Sequence, residues 1–172
     1  RWGKLNYMVY AGKVFSREDL PFMLLETHPG NEIYYYNKQS FNLMNRFEYI
    51  SDQYAGVNIE HIIEKKLITL LPFMRKTNMR QFWNFKSVVG NLSTGNRLLN
   101  IQDYYYEYRM RSLRGGFYTE VGTGIENIFK LLRIDFVWRY APTRNIPRGI
   151  PSSLFKSNTN DFGVFGSVRF QF

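Results

Sequence analysis

The chain contains no cysteine. That excludes a disulfide scaffold, a thiolate zinc site and a thiol nucleophile. Histidine is nearly as scarce, with only His28 and His61. His28 stands in a Pro-Gly loop and His61 follows Glu60 near a strand end, so neither has companions at metal-ligand spacing, and no metal or cofactor is expected. Long apolar runs are also missing. The longest, Leu67 to Met74, is broken by Thr69 and Pro72 and falls far short of the roughly 20 residues of a membrane helix. The opening Arg1-Trp2-Gly3-Lys4 has neither an initiator Met nor a signal peptide, which points to a processed chain or a fragment. No Ser-His-Asp arrangement or phosphate loop is present, and Gly122-Thr123-Gly124 is not followed by the helix of a dinucleotide site. No enzyme is expected.

What is present is unusual. Aromatic residues make up 18% of the 172 residues, and 23 Lys+Arg against 14 Asp+Glu leave a net charge of +9. Rings stack on bases and cations pair with phosphates, so this composition suits single-stranded nucleic acid. It equally suits a membrane barrel, where rings form girdles at both interfaces. The pattern along the chain separates the two.

From Phe162 to Phe172, alternation places Phe162, Val164, Gly166, Val168, Phe170 and Phe172 on one face, with Arg169 and Gln171 among those opposite. Outer-membrane barrels commonly end on such an aromatic-tipped strand, so Phe162, Val164, Val168, Phe170 and Phe172 read as a terminal-strand assembly signal. From Lys130 to Tyr140, Leu132, Ile134, Phe136, Trp138 and Tyr140 oppose Arg133, Asp135, Val137 and Arg139. Three charges on one face are costly in a soluble core and natural in a polar lumen. Phe117 to Ile125 puts Phe117, Val121 and Ile125 outward, with Glu120 and the adjoining Glu126 inward, where they would neutralise Arg133 and Arg139 across strands. Phe47 to Ile62 repeats the pattern, with Tyr49, Val57 and Ile59 against Glu48, Asp52 and Glu60. Gly3 to Val14 sets Leu5, Tyr7, Val9 and Ala11 opposite Lys4 and Asn6. Arg80 to Leu92 reads as a strand whose outer face the alternation leaves open. Glycoside hydrolysis could use paired carboxylates, but pairing with lumenal Arg is the stronger reading of these acids. The expected network is Glu48, Asp52, Glu60, Glu120, Glu126, Arg133, Asp135, Arg139 and Arg169.

Counting back from a periplasmic C-terminus, the turn at Asn127 to Phe129 is short and periplasmic, and Glu64 to Thr77 is periplasmic too, somewhat long for that side. The segments Ala141 to Asp161, Ser93 to Gly115 and Ser16 to Asn45 are long and extracellular. Long outer loops against shorter inner turns match bacterial barrels. The run Tyr104 to Arg114 is the best case for nucleic acid, weighed against a strand extension carrying girdle Tyr.

His28-Pro29-Gly30-Asn31-Glu32, Phe41-Asn42-Leu43-Met44-Asn45, Phe47 to Ala55 and Gly122 to Lys130 together resemble the C-terminal barrel of a Bacteroidota outer-membrane family of uncharacterised function. Its longer members carry a carboxypeptidase-regulatory-like domain, and its barrel is similar to the BamA superfamily. The resemblance spans about Gly12 to Phe172. It implies an all-β, antiparallel transmembrane barrel of which residues 1–172 supply about the last six strands, six to eight, the rest being completed elsewhere because natural barrels need at least about eight. It also implies that residues 16–45 form a large extracellular or lumen-folded loop, with His28, Pro29, Gly30, Asn31 and Glu32 as its motif. In BamA relatives an Arg-Gly motif in that loop pairs with lumenal acids. This chain has no Arg beside Gly30, so Lys38 or Arg46 would have to substitute.

The expected function is outer-membrane protein biogenesis or export in the bacterial outer membrane. The partners would be lipid, lipopolysaccharide, other envelope proteins and unfolded barrel clients, with no nucleic acid. A passive channel or structural barrel subunit, and a soluble basic β-domain binding single-stranded nucleic acid, are the alternatives.

Overall fold

The computed structural model describes residues 3–63, 77–101, 110–141 and 161–168. Period-2 stretches rich in aromatic and β-branched residues favour the pleated backbone, and they dominate the fold. Six strands form one antiparallel sheet: β1 (Lys4–Lys13), β4 (Gln53–Ile63), β5 (Arg80–Asn91), β6 (Phe117–Ile128), β7 (Leu132–Ala141) and β8 (Phe162–Val168), in that spatial order. Two short strands, β2 (Glu26–Thr27) and β3 (Ile50–Ser51), pair with each other between β1 and β4. The all-β class is therefore found, as an open sheet with β1 and β8 at its edges.

Some boundaries differ from the alternation. The strand expected over Phe47 to Ile62 begins only at Ile50 and is interrupted at Asp52. Phe47 has a left-handed φ of 56° and sits in a turn where the Glu48 N–H donates to the Asn45 carbonyl at 3.2 Å. Such a backbone cannot continue a strand. Between Ser93 and Gly115 a helix, α1 (Thr94–Asn100), appears that no periodicity announced. It starts beside Asp52, whose carboxylate accepts the Ser93 N–H at 2.7 Å and the Asn96 amide at 3.2 Å. The expected loops at 64–76 and 142–160, the Tyr run at 104–109, and Arg169, Phe170 and Phe172 lie outside the described residues.

Burial along the strands runs opposite to that of a soluble sheet. On β7, Leu132, Ile134, Phe136, Trp138 and Tyr140 are 37–75% exposed, whereas Arg133, Asp135, Val137 and Arg139 are at most 5% exposed. The exposed face continues through Phe162, Val164 and Val168 on β8 and through Leu5, Tyr7 and Val9 on β1. The face of β5 that its sequence left open is settled: Trp83 and Phe85 point outward with this apolar surface, while Phe82 and Lys86 are buried. Phe82 fits inside because its neighbour across the ladder is Gly124; a Cβ there would collide with the Phe82 ring and the Ile134 carbonyl.

The core lies between the other face of the sheet and the segment joining β1 to β4, residues 14–49. Phe41, Met44 and Tyr49 of that segment pack on Val88 and Tyr118 of the sheet. Tyr36 and Leu43 pack on Val137 and Phe165, and Leu25 meets Ile50 and Leu92.

Candidate functional site: a charged inner face closed by a loop

The inner faces of β4, β6 and β7 bring distant charges together. Arg133 is the centre, with its side chain at 0% exposure. Its Nε donates to both Asp135 oxygens at 3.1 and 2.8 Å, and its Nη2 donates to Oδ1 at 2.7 Å. Its Nη1 stands 2.8 Å from Glu60 and 3.7 Å from Glu126. The guanidinium lies 3.6 Å from the Phe82 ring centre and 4.9 Å from that of Tyr36, a cation–π arrangement favoured by desolvation. Glu60 also takes Lys38 of the loop at 2.6 Å, and Glu126 takes Arg80 at 3.3 Å. Lys38 is thus the loop cation that meets Glu60, whereas Arg46 donates its backbone N–H to Glu32 at 3.2 Å.

A second group fastens the loop to β6 and β7. Arg139 pairs with Glu48 at 3.0 Å and donates to the Leu43 carbonyl. Glu120 lies opposite Arg139 in the ladder, yet it does not pair with it as the sequence suggested. Its two oxygens accept the N–H groups of Asn42 and Leu43 at 2.8 and 2.7 Å, and the Tyr118 hydroxyl at 2.8 Å. The loop's own N–H groups are aimed at Glu120, while Glu48 draws Arg139 away. Lys86 completes the attachment, donating to the carbonyls of Asn37 and Ser40 at 3.0 and 2.6 Å. The alternation did not single out Lys86, although its parity, opposite to that of Trp83 and Phe85, marks it as inward once their face is known.

Asp52 does not join this network. It holds the start of α1, and those hydrogen bonds lower its carboxyl below the usual range although burial alone would raise it. Glu48 belongs to the loop rather than to a strand face. Among the described residues no group of His, Asp and Glu is arranged to hold a metal ion.

The motif from His28 to Glu32 is the internal frame of the loop. Pro29 accepts the Phe41 N–H at 2.9 Å, and Asn31 donates its N–H to Met44 at 2.8 Å. A Cβ on Gly30 would collide with the Asn45 carbonyl, so glycine is required by close approach rather than by a turn. His28 is buried, with Nε2 2.9 Å from Ser51 Oγ and its ring edge-on to Tyr54.

Burial pushes His28 down from 6.5 to about 4. An undocked loop would take up a proton near pH 6.5 that the docked loop refuses until about pH 4. Docking is therefore intact above pH 6.5 and weakens as pH falls through that window, by at most about 3 kcal/mol. Limited proteolysis of the loop should accelerate between pH 6.5 and 4 in the native chain and much less in His28→Gln. An identical pH profile for both would defeat this.

Residues 1–110 match a family described as a family of unknown function (DUF5686) C-terminal domain. The chain belongs to that family. No curated protein and no solved structure matches it. The matched part of this DUF5686 C-terminal domain holds β1, the covering loop, β4, β5 and α1, and with them His28, Glu48, Glu60 and Lys86. The residues that Glu60 and Glu48 pair with, Arg133 and Arg139, lie beyond it, so the charge network joins the matched segment to the rest of the chain.

Proposed function

We propose that this chain is part of an outer-membrane β-barrel of BamA-like type that serves outer-membrane protein biogenesis or export. The observation that carries the reading is the inverted burial of β7: large apolar side chains face outward while Arg133, Asp135 and Arg139 are sealed inside. In water that arrangement leaves the apolar face unburied, whereas lipid covers it at no cost. Strands of 10–12 residues in β1, β4, β5, β6 and β7 have the length of tilted bilayer-crossing strands. In this reading the remaining strands come from elsewhere in the protein, since an open edge in lipid would leave backbone groups unpaired. The loop is then a lumenal plug fixed by Arg133, Arg139, Glu120 and Lys86.

The plug weighs against a wide passive channel, because its side chains fill the inner face. The paired and buried state of Lys86, Arg133 and Arg139 weighs against phosphate binding there. Membrane fractionation with heat-modifiable gel mobility tests the barrel, and a freely soluble protein would refute it. Depletion of the protein followed by a survey of other barrels tests biogenesis; normal assembly of those barrels would end that reading.

A further inference from the structure

A cavity of about 410 Å³ opens at the end of the sheet where β1 finishes and β4 begins. Its walls come from residues within 13–20, 52–53 and 93–96. The size is that of a small-molecule site, but such sites are lined mostly by apolar side chains. This one is the reverse. Among the described residues that line it, only Val14 and Leu20 carry apolar side chains. The others offer ammonium, guanidinium, carboxylate, amide and hydroxyl groups. A ligand that fits must exchange hydrogen bonds over most of its surface.

The floor is Asp52 and Asn96, both buried. Asp52 accepts the Ser93 N–H and the Asn96 amide on the same oxygen, Oδ2. Asn96 in turn accepts the Leu20 N–H at 2.7 Å. These bonds tie all three wall segments together. The rim is exposed, with Lys13, Arg17, Asp19 and Gln53. The Asp19 carboxylate lies so close to Gly95 that a Cβ there would collide with it. An aromatic ring flanks this rim. Phe15 stands between the lining residues Val14 and Ser16, is 85% exposed, and has the Lys13 Nζ 5.5 Å from its ring centre.

The charges narrow the ligand. Lys13 and Arg17 are two cations against the three carboxylates of Glu18, Asp19 and Asp52. That balance disfavours a phosphate or carboxylate ligand. Among the described residues no carboxylate group is arranged to hold a metal ion. A neutral molecule with many hydroxyls meets both conditions, because each hydroxyl can donate to a carboxylate and accept from an amide or a cation. Such a molecule also has a C–H face, and the exposed Phe15 ring is the apolar surface beside the cavity on which that face can lie.

We propose that this cavity binds a neutral sugar, with Asp19, Asp52 and Gln53 taking its hydroxyls and Phe15 stacking on its C–H face. The site does not depend on lipid around the sheet; in the barrel reading it opens on the extracellular side.

Saturation-transfer NMR on the full protein tests this, in lauryldimethylamine oxide, a detergent without a sugar headgroup. The probes are the methyl glycosides of glucose, galactose, mannose and N-acetylglucosamine at millimolar concentration. At least one should receive saturation and titrate to a dissociation constant. Phe15→Ala should weaken it about tenfold, and Gly95→Ala by as much, because the new Cβ displaces Asp19. Gly95 lies in α1, where alanine favours the helix, so unfolding does not account for a loss there. Tyr34→Ala, which removes an exposed ring elsewhere, should leave binding unchanged. No transfer to any of these sugars would overturn the proposal, as would unaltered affinity in both Phe15→Ala and Gly95→Ala. Galacturonate or glycine binding more tightly than every neutral sugar would overturn it in favour of an anionic or zwitterionic ligand. A freely soluble protein that binds sugar would refute the barrel and leave the site standing.

Discussion

Arg133→Ala is expected to lower stability by about 3–5 kcal/mol, the range for removing one partner of a buried ion cluster. The Arg133 side chain has no exposure and lies against Asp135, Glu60 and Glu126. Without it, three carboxylates share a site that has lost its buried cation, with Lys38 still on Glu60 and Arg80 on Glu126. Water cannot solvate them there, and the face of Phe82 loses the cation stacked on it. Arg133→Lys should recover only part of the loss. An ammonium keeps the charge but cannot make the forked contact to Asp135 while reaching Glu60. The temperature at which the folded gel band converts to the unfolded one should drop sharply for Ala and less for Lys. A shift for Ala no larger than that of an exposed-loop control, such as Arg17→Ala, would mean that the cluster does not anchor the sheet.

Phe136→Arg is the second large effect, and its size depends on what lies outside the sheet. Phe136 sits in the middle of β7, opposite Val164 of β8, and points outward. Against lipid, an arginine near the midplane costs about 2–4 kcal/mol. Against water, the same exchange at an exposed site stays within about 0.5 kcal/mol and aids solubility. Refolding into phospholipid vesicles, followed by urea titration, should show the large loss for Phe136→Arg. Val137→Arg, one residue along, tests the opposite face, where Val137 packs with Tyr36 and Leu43 beneath the loop. It should fail through overpacking and an unpaired charge rather than through lipid contact, and so should fail in detergent and vesicles alike. A Phe136→Arg protein as stable as the parent in vesicles would remove the lipid from the outer face.

How much was legible varied with how local the signal was. On β7 the sequence alone assigned both faces, because alternation along one strand is a property of its own backbone. The same held for Glu120 and Glu126 on β6, and for Leu5, Tyr7 and Val9 on β1. On β5 the sequence was ambiguous, since Phe82, Trp83 and Phe85 include large rings of both parities. Only the ladder with β6, where Gly124 leaves room for Phe82, decided which ring goes in. The strand expected from Phe47 failed for a local reason that composition hides, a left-handed turn stabilised by the Glu48 carboxylate accepting the Asn45 N–H at 2.9 Å.

The absence of a long apolar run already meant that no helix among the described residues could cross a membrane. The sequence by itself determined which side chains share a face, and therefore that Arg133, Asp135 and Arg139 would be together on one side of β7. Tertiary structure alone decided their partners: Glu60 for Arg133, Glu48 for Arg139 and the Asn42–Leu43 backbone for Glu120, as well as the Tyr34 and Tyr36 backbone for Gly166. Facing is set by the two-residue repeat within a strand, whereas partnership depends on the register between strands and on the path of a loop whose contacts lie up to 133 residues away along the chain.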